Sequence, residues 1–519
     1  MLRRGGSATD AAIATMLALT VVEPQSSGIG GGGFLLHHSA DGTIQTLDGR
    51  EAAPAAATPD WFLGQDGRPL PFMEAVLSGL SVGVPSNIRL AAEAHARHGQ
   101  LPWADLFAPA ITLARDGFIM TERFREFLER APNRAAADTE GRALFYDAAG
   151  EPLAAGTRVR NPELAQTLQQ IASEGPGWFY TGEHAAEIAT AVAARTPRPG
   201  MTVSDLTTYD VKERPVVCGD YRTYRICGMG PPSSGATTVF AILKQLERFD
   251  LGALGPRSAE FWHLFAESQR LAFADRERYL ADSDFVSVPI PGLMDPNYLA
   301  ARGALIDPDR RLATVAPGTP AGIAVIAPDG DEPRDSGTSH FVTIDRAGNA
   351  VTYTSTIEGS FGSGIMVGGY YLNNELTDFS FTPEVDRRPV ANRVEGGKRP
   401  RSSMAPTLVY DAQGELVLAI GAAGGSTIPV QVARALIGVI DFRLPLHEAI
   451  ALPVLFSPGE RITIEQGSML EAMLPQLQAL GHEGITARAL PLKINGAQRT
   501  PAGWVGAADP RSEGAAVHE

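Results

Sequence analysis

The sequence has few cysteines, no long apolar run and no excess of basic residues. Its 519 residues include two cysteines, Cys218 and Cys227, which excludes a small scaffold held by many disulfides. No apolar run reaches the roughly 18 residues that a membrane-spanning helix needs. The formal net charge of −15 argues against a broad surface for nucleic acid or anionic lipid. We therefore expect a soluble protein with neither a membrane nor a nucleic-acid partner.

The two cysteines flank the stretch from Gly219 to Ile226, which has the character of a β-hairpin. A disulfide across that hairpin is geometrically conceivable, but two free thiols are the more expected state. At 44% hydrophobic and 20% charged residues, the chain is typical of a globular protein with one large core or several smaller ones.

The N-terminal segment imitates a secretory signal, because two arginines precede the apolar stretch from Ala11 to Val22. Asp10 and the missing small-x-small cleavage site oppose that interpretation. Ser7 and Asp10 instead predict a capping box that opens a buried helix ending before Pro24. With no credible export signal, a cytoplasmic location is the default expectation. A periplasmic or secreted location follows if the true start lies upstream.

Two kinds of segment alternate in the first part of the chain. Amphipathic stretches such as Ile88 to Arg97 and Pro162 to Ser173 alternate with short apolar runs, which predicts helices packed over a sheet. From Pro308 to Gly337 the composition shifts toward Pro, Gly, Asp and Arg, and its last part has no hydrophobic periodicity. We expect an exposed loop over 308–337 and a boundary at its end.

The segment after this loop is the most β-like part of the sequence. His340 to Asp345 and Ala350 to Thr356 are rich in β-branched residues and predict a hairpin. If the turn is a three-residue loop with Gly348 in the left-handed conformation, Thr338 lies opposite Thr356. A two-residue loop would shift the partner of Thr338 to Ile357.

A threonine at this position can become a nucleophile. Its hydroxyl is weak at neutral pH and needs a base, and a free α-amino group with a pKa of about 7.7 to 8 can supply one. Cleavage of the Gly337–Thr338 bond would create that amine on Thr338. Alone, however, Thr-Ser-His at a strand start is an ordinary sequence.

A wider set of motifs makes the chain resemble the γ-glutamyltranspeptidases, a family of N-terminal nucleophile hydrolases. The motifs occur in the family's order and span nearly the whole chain: Gly28-Ile-Gly-Gly-Gly-Gly-Phe34, Leu47-Asp-Gly-Arg-Glu-Ala-Ala-Pro54, Gly175-Pro-Gly-Trp-Phe-Tyr-Thr-Gly182, Thr338-Ser-His-Phe341, Leu372-Asn-Asn-Glu-Leu-Thr-Asp-Phe-Ser380, Lys398-Arg-Pro-Arg-Ser-Ser-Met-Ala-Pro-Thr407, Gly424-Gly-Ser426 and Ala508-Asp-Pro-Arg511.

The resemblance implies an α+β fold, a four-layer αββα sandwich built from two subunits of one precursor. The large subunit would be 1–337 and the small, catalytic subunit 338–519, and the two would stay associated. The reaction it implies is transfer of the acyl group of glutathione or a related γ-glutamyl amide, through an ester on Thr338, to water or an acceptor amine. No cofactor and no metal are expected.

The resemblance also assigns roles to single residues. For catalysis it implies Thr338 as the nucleophile after cleavage behind Gly337, Thr356 as the hydroxyl that orients it, and Gly424 and Gly425 as the oxyanion hole. For substrate binding it implies Arg50 as the clamp for the α-carboxylate, Glu375 and Asp378 as acceptors of the α-ammonium, and Ser402 and Ser403 as hydroxyl donors on the carboxylate side. A planar guanidinium fork suits a carboxylate, and a lysine would not replace it.

Some features depart from the family pattern. Glu358 stands where many members have an asparagine, and it adds a negative charge near the expected α-carboxylate site. The segment from Phe379 to Arg401, which corresponds to the lid over the pocket, is short and lacks a tyrosine. These departures make an acylase for glutaryl or cephalosporin-type side chains the main alternative. The second alternative is an unprocessed, inactive relative that serves as a binding or scaffold protein.

One further motif points elsewhere and is set aside. Gly28-x-Gly30-x-x-Gly33 matches the dinucleotide-binding fingerprint, but it precedes an apolar run that begins at Phe34. No helix N-terminus would then be offered to a pyrophosphate.

Overall fold

The computed structural model describes residues 1–323 and 337–518. Within these residues the chain forms two compact units, the first from 1–214 and 337–400 and the second from 215–323 and 401–518. Each unit holds an antiparallel sheet with helices packed against it, which confirms the α+β class. Each unit also combines chain from both sides of Gly337. Of the loop expected over 308–337, residues 308–323 contain no helix or strand, and 324–336 lie outside the described residues.

The helices begin and end close to the sequence signals. The capping box forms, since Ser7 accepts the N–H of Asp10 and Asp10 accepts that of Ser7, and the first helix ends at Val22. In the described residues no helix has both the length and the apolar character needed to cross a membrane. The α-helices are α1 Ala8–Val22, α2 Phe72–Val76, α3 Asn87–His98, α4 Ala108–Asp116, α5 Glu122–Arg130, α6 Pro132–Ala135, α7 Thr139–Phe145, α8 Pro162–Glu174, α9 Gly177–Tyr180, α10 Gly182–Ala194, α11 Val203–Thr208, α12 Gly235–Leu246, α13 Leu251–Leu254, α14 Ala259–Tyr279, α15 Ile290–Leu293, α16 Pro296–Gly303, α17 Ile428–Ile440, α18 Leu446–Ala451 and α19 Leu474–Ala479.

The strands are distributed over both halves of the chain. They are β1 Gly32–His38, β2 Ile44–Gly49, β3 Phe118–Ile119, β4 Arg158–Val159, β5 Lys212–Glu213, β6 Val217–Tyr221, β7 Tyr224–Gly228, β8 Ser339–Ile344, β9 Ala350–Thr356, β10 Met366–Val367, β11 Tyr370–Tyr371, β12 Glu384–Val385, β13 Arg388–Pro389, β14 Thr407–Tyr410, β15 Leu416–Ala423, β16 Leu455–Phe456, β17 Thr463–Glu465, β18 Thr486–Arg488, β19 Lys493–Thr500 and β20 Gly503–Ala508.

The first unit is built on a five-stranded antiparallel sheet of order β5-β2-β1-β9-β8. Every residue of β1 and β9 is buried, which suits their central places in the sheet. Helix α1 packs against β8 and β9, and α3 and α4 pack against α1. The sheet therefore has a buried helical layer on the side of α1.

The β8–β9 hairpin has the register predicted from its turn. Gly348 has a φ of 92°, and the N–H of Asp345 donates to the carbonyl of Asn349 at 3.0 Å, which closes a three-residue loop. Ser339 consequently pairs with Ser355 along the ladder. The alternative prediction of a two-residue loop, which would place Ile357 opposite Thr338, is wrong. Strand β8 begins one residue earlier than predicted.

The second unit is built on a six-stranded antiparallel sheet of order β20-β19-β15-β14-β7-β6. Helices α12, α14 and α17 pack together, and α12 and α17 also contact the sheet. In the described chain, β6 and β7 precede Gly337 and the other four strands follow it.

The expectation of two free thiols is wrong, because Cys218 and Cys227 form a disulfide. The two residues pair directly across β6 and β7, with their Cα atoms 4.1 Å apart. Directly opposed positions of an antiparallel pair bring the two Cβ atoms close enough for a bridge. The hairpin between the cysteines therefore places them directly opposite each other, which explains why the bridge forms.

Opening the Cys218–Cys227 bridge should lower the free energy of unfolding by about 2–3 kcal/mol, because the short loop it closes removes that much entropy from the unfolded chain. Thermal melting with and without dithiothreitol measures the effect. A double Cys218→Ser, Cys227→Ser variant should melt like the reduced protein and ignore the reductant. Two titratable thiols in the denatured, unreduced protein would contradict the bridge.

Candidate active site

The strands of the first unit bring four predicted site residues to one end of its sheet. Gly32, the first residue of β1, pairs with Thr356, the last residue of β9. Strand β2 ends immediately before Arg50, and β8 begins immediately after Thr338. Because neighbouring strands run antiparallel, these beginnings and ends lie along the same edge. Glu358 lies two residues after the end of β9 and is the fourth of these residues.

Three oxygen atoms meet at the Gly337–Thr338 bond. Thr338 Oγ1 lies 3.2 Å from Thr356 Oγ1 and also contacts the carbonyl oxygen of Gly337. Thr356 Oγ1 lies 2.9 Å from that carbonyl oxygen and accepts the backbone N–H of Glu358 at 2.8 Å. Since that N–H occupies a lone pair of Thr356, the Thr356 proton can point to the Gly337 carbonyl. Both hydroxyls thus contact the Gly337 carbonyl group, and that of Thr356 can polarise it by donating a hydrogen bond.

The glycine run before β1 allows close packing against this site. A Cβ on Gly31 would lie 1.9 Å from the carbonyl oxygen of Thr356, and one on Gly30 would lie 2.1 Å from that of Tyr371. Neither position therefore accepts a side chain without moving backbone. The run leads into strand β1 and not into a helix, so its glycines serve packing and do not form a dinucleotide loop.

Arg50 is buried and is held by the two carboxylates that the sequence assigns to the substrate's ammonium. Its Nη1 donates to Glu375 Oε1 and its Nη2 to Asp378 Oδ2, while Nε donates to the carbonyl of Pro400 at 3.2 Å. Burial lowers the pKa of Arg50, but the two carboxylates outweigh burial and raise it. Arg50 is therefore a permanent cation at the edge of the sheet.

The backbone around Arg50 is fixed by a buried ionic network. Asp48 accepts the Arg50 N–H at 2.8 Å and pairs with Arg214 at 2.9 Å and Arg399 at 2.6 Å. The Tyr209 hydroxyl donates to the Arg50 carbonyl at 2.7 Å. Because these contacts hold the main chain on both sides of the side chain, the guanidinium has a defined position.

Glu358 connects the hydroxyl pair of Thr338 and Thr356 with the Arg50 cluster, which consists of Arg50, Glu375 and Asp378. It is buried, has a φ of 72°, and its Oε2 accepts Asn374 Nδ2 at 2.8 Å. A left-handed conformation is uncommon for a residue other than glycine and is concentrated at functional sites. Asn374 directly precedes Glu375, so Glu358 contacts the segment that carries both carboxylates of the Arg50 cluster.

The two predicted serines belong to the second unit. The Ser402 N–H donates to the Pro232 carbonyl at 3.0 Å, and Ser402 Oγ accepts the N–H of Met404 at 3.1 Å. Ser403 Oγ accepts Arg276 Nη2 at 2.8 Å. Both hydroxyls therefore have a proton left to donate, as the predicted contact to a carboxylate requires.

The two predicted oxyanion-hole glycines follow β15 in the second unit. Gly424 and Gly425 have φ values of 123° and 59°, and a Cβ on Gly424 would lie 2.3 Å from the Pro491 carbonyl oxygen. Among the described residues, neither amide N–H donates to a protein acceptor. Two adjacent, unused N–H groups are the donors that an oxyanion hole needs.

The structure thus joins six of the predicted site residues within the first unit and assigns the other four to the second. The first set comprises Thr338, Thr356, Glu358, Arg50, Glu375 and Asp378. Three further residues of this region were not predicted from the sequence. They are Asn373 and Asn374, which hydrogen-bond to Glu375 and Glu358, and the buried Glu51. All three stand inside motifs that carry the family resemblance, and that position was the available signal.

Comparison with known proteins identifies relatives over the whole length of the chain. A family model described as gamma-glutamyltranspeptidase matches residues 1–518. The chain is 36% identical to the glutathione hydrolase proenzyme of Bacillus subtilis (strain 168), over 100% of this chain and 88% of that protein. It is 34% identical to the acylase ACY 1 proenzyme of Pseudomonas sp. (strain V22), over 100% of this chain and 90% of that protein.

A solved structure is similar over nearly the same extent. The cephalosporin acylase from Bacillus halodurans superposes with a TM-score of 0.85 at 26% identity, covering 99% of this chain and 91% of that chain.

Arg50→Met should lower the free energy of unfolding by about 3–5 kcal/mol, because it removes the cation from the buried carboxylate of Glu375. Urea unfolding followed by circular dichroism measures this loss. The matched control is Arg97→Met, which breaks only partly exposed pairs with Glu93 and Glu213 and should cost about 0–1 kcal/mol. Equal losses in the two variants would contradict the role given to the buried cluster.

Proposed function

The chain belongs to the γ-glutamyltranspeptidase family, and on that premise we propose that it hydrolyses and transfers γ-glutamyl groups with Thr338 as nucleophile. It is an enzyme, as its family and its glutathione hydrolase relatives indicate. The observation that carries the proposal is the contact of the Thr338 hydroxyl with the Gly337 carbonyl and with Thr356. The proposed substrates are glutathione and related γ-glutamyl amides.

The first step is self-cleavage of the precursor. Thr338 Oγ1 attacks the carbonyl carbon of Gly337, its proton passes to the departing Thr338 nitrogen, and the peptide bond becomes an ester. Water then hydrolyses that ester and leaves a carboxylate on Gly337 and a free amine on Thr338. A hydrogen bond from Thr356 Oγ1 to the Gly337 oxygen, 2.9 Å away, stabilises the charge that develops there.

Catalysis repeats this chemistry on a substrate. The new amine of Thr338 accepts the hydroxyl proton while Oγ1 attacks the γ-carbonyl carbon of the donor. The amine product leaves with a proton, and the glutamyl group remains as an ester on Thr338. Water or an acceptor amine then attacks this ester, which restores the hydroxyl. The N–H groups of Gly424 and Gly425 are the proposed donors to the oxyanion, and such a donor contributes about 2.7–4 kcal/mol.

Recognition of the donor uses the ion pairs that Arg50 makes with Glu375 and Asp378. The donor's α-carboxylate binds the guanidinium of Arg50, and its α-ammonium binds the carboxylates of Glu375 and Asp378. Each internal ion pair is then replaced by one with the substrate, so no buried charge is left without a partner. Ser402 and Ser403 are the proposed hydroxyl donors to the same carboxylate.

The two fragments should stay associated after cleavage, because both sheets contain strands from each fragment. In the first unit β1, β2 and β5 come from the large fragment, and β8 and β9 from the small one. In the second unit β6 and β7 pair with β14 of the small fragment through β7. Separation would therefore break backbone ladders in both cores.

An acylase for glutaryl or cephalosporin-type side chains is the second candidate. It is supported by the similarity to the Bacillus halodurans cephalosporin acylase and to acylase ACY 1. A glutaryl group lacks the α-ammonium, so it would leave Glu375 and Asp378 without a substrate partner. The carboxylate-rich site favours the γ-glutamyl donor.

Thr338→Ala should abolish both cleavage and turnover, because it removes the only atom that attacks in either step. Gel electrophoresis of the wild type should show fragments of about 36 and 19 kDa, dividing 55.0 kDa by residue count. The variant should show one full-length band. The matched control is Ser339→Ala, which removes a hydroxyl bonded to Glu23 and should be cut normally. Cleavage of the Thr338→Ala variant, or no cleavage of the Ser339→Ala variant, would show that a residue other than Thr338 is the nucleophile.

Asp378→Asn should raise KM for a γ-glutamyl anilide about 10- to 100-fold, because it removes one charge-assisted hydrogen bond to the α-ammonium. Steady-state kinetics on γ-glutamyl-4-nitroanilide and glutaryl-4-nitroanilide provide the measurement and its control. The glutaryl compound has no ammonium, so its KM should not rise. Equal effects on both substrates, or faster turnover of the glutaryl compound by the wild type, would favour the acylase.

A further inference from the structure

Glu51 is a fully buried acid that the proposed mechanism does not use. Its residue has 0% exposure, and within the described chain neither carboxyl oxygen meets a hydrogen-bond donor. The surrounding backbone is close, since a Cβ on Gly32 would lie 2.5 Å from Glu51 Oε2 and one on Gly83 would lie 2.7 Å from Glu51 Cβ. An ionised carboxylate in such a place would lose its solvation, and the nearby charge of Arg50 offsets that loss only in part.

The group that faces Glu51 is another carboxyl. Arg50, which directly precedes Glu51, binds Glu375. A Cβ on Gly83 would lie 2.7 Å from Glu51 Cβ and 3.2 Å from Cδ2 of Leu376, the residue after Glu375, so the two acids lie next to each other. Glu375 uses Oε1 for Arg50, while its Oε2 meets no donor in the described residues. Two adjacent buried carboxyls, each with an oxygen that meets no donor, are satisfied if one proton is shared in a hydrogen bond between those oxygens. The other charged or titratable groups facing this pair are Arg50, Asp378, Tyr180, Tyr209 and Tyr353.

The position of the proton follows from the surroundings of the two acids. Arg50 lies on Glu375 and stabilises its ionised form, whereas Glu51 has no ion pair within hydrogen-bonding distance in the described residues. Burial, followed by the charge of Glu375, raises the pKa of Glu51 well above its usual range. Burial also raises the pKa of Glu375, to about 7, against the opposing effect of Arg50. Glu51 is thus the acid that keeps its proton.

We infer that Glu51 is a positioning residue that keeps its proton and donates a hydrogen bond to Oε2 of Glu375, so that Glu375 presents one negative charge to Arg50 and to the donor's ammonium group. The inference rests on the proposed function for the identity of that ammonium. Its structural part, a neutral Glu51 hydrogen-bonded to Glu375, stands on the geometry of the two acids. Without this hydrogen bond Glu375 would ionise less readily in its buried site.

The pH dependence of donor binding tests this role. Glu375 must be ionised to bind an ammonium, so kcat/KM for γ-glutamyl-4-nitroanilide should rise with pH through about 7 in the wild type. Glu51→Gln keeps a donor to Glu375 and should keep that midpoint. Glu51→Met fills a similar volume without a donor and should move the midpoint up by about one to two pH units, with the change in KM.

A purely structural Glu51 would give another result. Glu51→Met would then lower activity by the same factor at every pH and leave the midpoint in place. That result, or a Glu51→Gln variant whose midpoint moves as far as that of Glu51→Met, would overturn the inference.

Infrared spectroscopy tests the proton directly and uses only the wild type and the isosteric Glu51→Gln variant, so it does not depend on whether Glu51→Met folds. With ¹³C-labelled glutamate, the difference spectrum at about pH 8 should contain the band of a protonated carboxyl that the variant lacks. No such band in the wild type would overturn the inference.

The two proposals fail in distinguishable ways. A wild type that turns over no γ-glutamyl donor at any pH would refute the proposed function, while the infrared band would still decide the state of Glu51. Normal turnover with no band would refute the role of Glu51 alone.

Discussion

The backbone ladder between β8 and β9 holds the Thr338 hydroxyl against the carbonyl group that precedes it. Because side chains alternate along a strand, a slip of one residue would turn Thr338 away from Thr356 and separate the two hydroxyls. The three-residue turn at Gly348 prevents that slip. Strand β1 extends the same constraint, since Gly32 pairs with Thr356 on its other side. The proposed nucleophile Thr338 and the proposed polarising hydroxyl of Thr356 are thus positioned by main-chain hydrogen bonds.

Several charged side chains are buried along the same edge of the sheet, although apolar side chains would suffice for packing. Arg50 is held by Glu375 and Asp378, and its backbone by Asp48. A buried ion pair contributes little net stability, because desolvation offsets most of the attraction. We propose that these pairs serve recognition, since a zwitterionic donor can exchange its own charges for the internal ones. The hydrogen bond inferred from Glu51 would keep Glu375 in its charged form.

Local features of the fold could be predicted from the sequence, and the origin of each success is physical. The helix cap at Ser7 and the turn at Gly348 depend on residues within a few positions of one another. The disulfide was not predicted, although Cys218 and Cys227 face each other, because a hairpin pattern alone does not fix which positions are opposed. The two compact units, each mixing both halves of the chain, could not be predicted from composition.

The site itself was predicted through resemblance and not through local pattern. Arg50 and Glu375 are 325 positions apart in sequence, and no periodicity joins them. The family resemblance implies separate partners for them on the substrate, and in the structure they pair with each other. Glu51 was missed because an acid next to an arginine in a turn is ordinarily a solvated residue. Only its burial against a second acid marks it.

In the proposed reaction, the threonine freed by cleavage carries the acyl group of the substrate as an ester. The most direct test is to quench the enzyme during steady-state turnover of a γ-glutamyl anilide and to map the small fragment by mass spectrometry. We expect one added glutamyl group on the N-terminal peptide that begins at Thr338. A modified residue elsewhere, or a turning-over enzyme whose Gly337–Thr338 bond is still intact, would contradict it.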